Sequence, residues 1–197
     1  MNTSDSTRRR IVLIASFLIG QACAIAVVAG PLLGTRWWEG FRAYFANDQM
    51  SYAAIATNVA NGVLAPVEPF TMTGVSHYPS GWYVVLGLAA RVTGAPVWVI
   101  WQVLGALAVM TIIATLGWIA WRVSRRAWAP LLPGLALFTG TLALRTSGDW
   151  FTLLGHHAVL WGPFGTLFTL NAEAVGVCTA SLAIGLLMLA PRVRGPW

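Results

Sequence analysis

Residues 95–121 carry no charged side chain. That run exceeds the ~20 apolar residues an α-helix needs to cross a ~30 Å hydrocarbon layer. In lipid the backbone must satisfy its own polar groups, which leaves a helix as the economical solution for a single run of this length. Residues 11–34 repeat the pattern after a polar start that ends in Arg8, Arg9 and Arg10. A secretory signal shows the same order of charge and then apolar core, but its core is usually ~7–15 residues. The longer run here reads as a first membrane helix. Residues 127–144 and 172–190 are two further candidate spans, the former crowded by Pro130 and Pro133 near its start. With 57% hydrophobic and 9% charged residues, the predicted class is an all-α polytopic membrane protein, a single membrane domain over residues 1–197.

The formal charge of +6 arises from twelve arginines and no lysine. Most of these arginines stand in short clusters between apolar runs. That is the pattern of loops on the cytoplasmic side, and it excludes nucleic acid as a partner. The clusters also decide the topology. With residues 79–91 not crossing, eight arginines fall inside (Arg8, Arg9, Arg10, Arg122, Arg125, Arg126, Arg192, Arg194) and four outside (Arg36, Arg42, Arg91, Arg145). With that segment crossing, five fall inside and seven outside. The positive-inside rule selects the first arrangement: spans at 11–34, 95–121, 127–144 and 172–190, with the N-terminus cytoplasmic. The outer loops are then 35–94 and 145–171. Cys23 and Cys178 both fall within apolar runs and are expected as buried free thiols.

The first outer loop is the long segment that is not a simple span. It opens on an aromatic belt (Trp37, Trp38, Phe41, Tyr44, Phe45) of the kind that marks a membrane–water boundary. From Asp48 onward, Tyr52, Ile55, Ala56 and Val59 recur at i, i+3, i+4 and i+7. That spacing predicts a one-sided helix, with Asn47 or Asp48 as its N-cap and Gly62 as its stop. Residues 63–76, with Pro66 and Pro69, read as irregular linker. A second helix is predicted over 79–91, with Pro79 in the first turn and Gly94 beyond the end.

The polar residues of the two outer loops carry the candidate chemistry. Asp48, at the start of its helix near the lipid headgroups, serves as a plain N-cap or as a general base, and the two roles coexist. A carboxylate beside a low-dielectric interface gains basicity, which suits proton abstraction from a sugar hydroxyl. Asp149, in TSGDWF, either interacts with the interface or joins Asp48 to position an acceptor or a cation. Glu39 and Glu68 read as solvated, and Glu173 as a favourable charge at a helix N-terminus. His156 and His157 are adjacent, so on a helix they point ~100° apart, and no third ligand is spaced to help. They read as substrate or interface contacts, with no metal site expected. His77, beside Tyr78 and Pro79, precedes a helix whose N-terminal amides attract anions. Arg36, Arg42, Arg91 and Arg145 would clamp a lipid phosphate or bind headgroups.

At these residues a resemblance enters. A membrane helix, an outer loop with an early Asp, an amphipathic helix and then YPSGW resemble the N-terminal module of the GT-C glycosyltransferases. The runs FANDQMSYAAIATNVANG and SHYPSGWYVVLGLAARVTGAPVWVIWQVLGALAVM are most similar to actinobacterial galactan arabinofuranosyltransferases, over about residues 45–120. The resemblance implies inverting transfer of a pentose, arabinofuranose, from a polyprenyl-phosphate donor to a cell-wall glycan acceptor. Asp48 then matches the family's loop-one catalytic Asp, and Tyr78, Pro79, Gly81 and Trp82 match its juxtamembrane signature. Asp149 takes the place of a second acidic residue by topology alone. Substrate contacts are expected from His77, Tyr78, Trp82, Arg36, Arg42, His156 and His157. No cofactor is expected beyond, at most, a divalent cation. Family members carry many more spans, so the chain is expected to be a fragment or partial module, and the resemblance does not imply that it acts alone.

Two other classes compete. A non-enzymatic membrane subunit or scaffold would use its outer loops to hold a partner. A transporter of a lipid-linked substrate would place ionisable residues inside its spans, and of the spans 11–34, 95–121 and 172–190 only the last holds one, Glu173, at its end.

Overall fold

The computed structural model describes residues 3–29, 46–64, 68, 73, 74, 81–146 and 172–189. Every regular element among them is a helix: α1 (Thr3–Ala29), α2 (Ala46–Ala60), α3 (Gly81–Thr93), α4 (Val97–Ser124), α5 (Leu131–Thr146) and α6 (Ala172–Leu189). α1 begins at Thr3, so Arg8, Arg9 and Arg10 ride on the helix instead of preceding it. Two helical segments, Asp5–Ala26 and Val97–Ser124, are long and apolar enough to cross a membrane by length and composition. α4 alone, at 28 residues, is about 42 Å long. Gly81–Thr93 and Val175–Met188 are shorter apolar helices.

The helices end where their sequences supply a stop. Gly62 takes φ +99 after α2, and the Val63 N–H donates to the Asn58 carbonyl while the Gly62 N–H donates to Val59. This pair of bonds is a Schellman motif, which uses a left-handed residue to satisfy the last carbonyls. Gly94, at φ +70, closes α3 with its N–H on the Ala90 carbonyl. Pro133 sits in the first turn of α5, where a missing N–H costs no helical bond. The apolar run predicted from residue 127 therefore becomes helical only at Leu131.

α4 packs against every other described helix, most extensively against α6 and α1, while α1 also lies along α5 and α2 along α3. Arg9 of α1 reaches the Arg125 carbonyl at the far end of α4, and Gln21 Nε2 donates to the Met110 carbonyl at 3.1 Å. Later residues of α1 thus meet earlier residues of α4, and the two run antiparallel. α6 runs parallel to α4: its first residue and Trp101 both adjoin Tyr83, and further along Gly185 faces Thr115 and Ile119.

Small residues set how closely the helices approach. On α1, Ser16, Gly20 and Ala24 are buried at spacing i, i+4, i+8, while Ile11, Ile14, Leu18 and Ile25 are exposed. A Cβ on Gly134 would overlap the backbone of Gly20, and one on Gly117 would lie 3.1 Å from the Pro130 carbonyl oxygen. Gly87 meets Ala56 and Val59 in the same way where α3 crosses α2. Close backbone approach over glycine and serine, with large aliphatics turned outward, is the packing that membrane helices favour. In water an apolar exterior of this kind would be an association surface.

Candidate functional site

The arginine-rich ends of α1 and α4 mark one end of the helical bundle. At the other end α2, α3, α4 and α6 converge on Tyr83. This side chain is completely buried, on the α3 stripe Tyr83, Leu86, Gly87, Ala90, the i, i+3, i+4, i+7 pattern of a one-sided helix. The Tyr52 ring of α2 stacks on it with centroids 4.5 Å apart and planes 8° from parallel. Trp101 of α4 also meets the Tyr83 ring, with centroids 5.5 Å apart and planes tilted by 40°. Offset and tilted contacts of this kind add about 0.5–1.5 kcal/mol each beyond the area they bury.

The Tyr83 hydroxyl has its own task. It accepts a hydrogen bond from the backbone N–H of Ala172 at 3.3 Å. That N–H belongs to the first residue of α6 and has no partner within its own helix. One phenol therefore joins α2, α3 and α4 by its faces and fixes the start of α6 by its oxygen. Glu173 follows as the second residue of α6.

Asp48 lies in the first turn of α2, four residues before Tyr52. The helix starts at Ala46, so Asn47 and Asp48 fall within the first turn, which corrects the expectation that one of them is the N-cap. Trp82 is half-buried beside Tyr83. Its indole Nε1 is sealed from solvent and has no acceptor among the described residues. Indole N–H groups usually find a partner when buried, so Trp82 is the described side chain at this end with a donor still to be matched.

The structure thus brings Trp82 and the backbone of Asp48 to the same end of the bundle. The other candidates, Asp149, His77, Tyr78, Arg36, Arg42, His156 and His157, lie outside the described residues, as does the Asp149 to Asp48 pairing. Glu68, expected as a solvated charge, is half-buried and engaged in an interaction. Arg91 is exposed in the last turn of α3. Its guanidinium would stand 3.2 Å from a Cβ on Gly62, over the end of α2, where helix carbonyls favour a cation. No group of three or more metal-ligating side chains occurs among the described residues.

Sequence reading missed the column Tyr52, Tyr83, Trp101. Tyr52 is legible as the first member of the α2 stripe, but nothing local to residues 52, 83 and 101 announces that their rings meet.

No protein-family model, no curated protein and no solved structure matches the chain. Among the described residues the fold is all-helical, with two helices long and apolar enough to cross a membrane.

Proposed function

We propose that this chain is the N-terminal module of a membrane glycosyltransferase of the GT-C type, spanning the cell membrane four times with its N-terminus in the cytoplasm. In this reading a polyprenyl-phosphate donor, its tail in the bilayer, presents a pentose, arabinofuranose, at the outer surface. A hydroxyl of a cell-wall glycan attacks the anomeric carbon with inversion. Asp48 takes the hydroxyl proton, and the bond to the polyprenyl phosphate breaks with its electron pair leaving on the phosphate oxygen. The phosphate is a good leaving group, so one base suffices, and cationic side chains of the outer loops neutralise the charge that develops.

The observation that carries the reading is the position of Asp48. It opens the helix that the Tyr52, Tyr83 and Trp101 column fastens to the bundle, at the end away from the arginines. A base held through a rigid aromatic joint is held at a constant depth, and geometry of that kind is what positional catalysis requires. Trp82 stands beside this joint, its indole N–H without an acceptor among the described residues.

The test is transfer from decaprenyl-phosphate arabinose to a galactan oligosaccharide, in membranes containing the full reading frame. Asp48→Asn keeps the shape and removes the base. The expected loss is about 10²–10⁴-fold in rate, and transfer unchanged by that substitution would eliminate Asp48 as base. A wild-type protein that transfers nothing yet holds a partner through its loops would favour the scaffold reading.

A further inference from the structure

The end opposite Asp48 has a construction of its own. Arg8, Arg9, Arg10, Arg122, Arg125 and Arg126 are all exposed there. The Nη2 of Arg9 donates to the Arg125 carbonyl at 2.8 Å, so two arginine clusters far apart in sequence form one surface. Asp5, also exposed, is the acidic residue nearest in sequence to either cluster. Arg126 places its guanidinium over the Trp128 ring, 5.9 Å from the centroid. The Ser124 hydroxyl accepts from the Arg126 N–H at 3.2 Å, and further backbone bonds from Ala129 and Leu131 fix the turn.

Arg125 itself is the unexpected residue. It adopts φ 59, and it is the non-glycine residue with positive φ among those described. Its N–H bonds to the Trp121 carbonyl and ends α4. Helices that end this way normally place glycine here, because a Cβ is strained in the left-handed region. The chain uses glycine at the equivalent stops Gly62 and Gly94, yet carries arginine at the one that borders the cationic surface. Close to these arginines in sequence, Ile11 and Val12 of α1, Val123 of α4, Trp128 of the turn that follows and Leu132 of α5 are exposed. Guanidinium donors thus adjoin an apolar shelf with an aromatic edge.

We propose that this end binds the headgroup of an anionic phospholipid, with Arg9, Arg125 and Arg126 meeting the phosphate and Val123, Trp128 and Leu132 lying along the acyl chain. A polyanion free in water would match the charge and leave the shelf uncovered; a phospholipid matches both. Guanidinium pairs well with phosphate through parallel hydrogen bonds, and one contact to a carbonyl leaves most of its donors unused. The proposal rests on the membrane reading and is independent of transfer at Asp48.

The experiment uses the whole chain, purified in neutral detergent and titrated with dioleoyl-phosphatidylglycerol or dioleoyl-phosphatidylcholine, with lipid retention read by native mass spectrometry. Phosphatidylglycerol should be retained preferentially, and less so as salt rises. Each arginine removed should weaken it about fivefold, from about 1 kcal/mol per charge. Arg125→Gly is the decisive variant: it keeps the left-handed stop, should melt no lower than the parent, and should still lose its share of affinity. Arg126→Gln serves as the second. Equal retention of the two lipids, or full retention by the Arg125→Gly/Arg126→Gln double variant, would overturn the proposal. So would displacement of phosphatidylglycerol by equimolar inorganic phosphate, since that would leave the apolar shelf without a part. A chain that stays soluble without detergent would instead remove the membrane reading, a distinct result.

Discussion

Where α1 begins and α4 stops, contacts run through exposed guanidinium groups: that of Arg9 on the Arg125 carbonyl, that of Arg126 over the Trp128 ring. Where α3 and α6 begin, contacts run through sealed rings, with Tyr83 and Trp101 both fully or almost fully buried. The arginine end keeps its charges in reach of a partner. The tyrosine end fixes four helices in register through buried rings. The contrast implies that stability resides at one end and exchangeable electrostatics at the other, and substitutions at each end should report that division.

The largest effect should come from Tyr83→Ala, which removes the ring stacked between Tyr52 and Trp101. A loss of about 3–5 kcal/mol is expected for a buried aromatic, read as thermal or denaturant unfolding in detergent. A loss under about 1 kcal/mol would show that the column is not the joint. Arg125→Gly should move the other way. Relief of the left-handed strain stabilises by about 1 kcal/mol, and a destabilisation of that size would mean the arginine end is structural after all. Tyr83→Phe, which keeps the rings and deletes the bond from the Ala172 N–H, should cost about 0.5–1.5 kcal/mol, nearer ~0.6 if the site is lipid-embedded. Its loss should appear as fraying of the first turn of α6, measured by amide exchange at Ala172.

Much of the helical framework was legible before the structure. Glycines 62 and 94 were readable as stops because a positive φ is what such stops need, and the stripe Ile55, Ala56, Val59 is buried as its period requires. The start of α1 was misplaced because Thr3–Arg10 is polar; polarity predicts exposure, and Asp5 and Thr7–Arg10 are exposed yet helical. The start of α2 was misplaced by two or three residues for a related reason, since Asn and Asp suit both a cap and a first turn. The site was less legible. Trp82 could be singled out from YPSGW, but its sealed indole N–H depends on neighbours that no local pattern names. The meeting of Gly20 with Gly134, and of Tyr83 with Ala172, joins residues whose spacing carries no period.

The position of α4 bears on how the molecule is made. It touches all five other described helices, whereas α1 makes its main contacts with α4 and α5, both synthesised later. A growing chain must therefore carry α1 without its partners until residue 124 and beyond has emerged, with the Ser16, Gly20, Ala24 groove uncovered in the meantime. Because Gly20 packs on Pro130, Leu131 and Gly134, that groove closes only once α5 has emerged, so every nascent chain shorter than this carries it open.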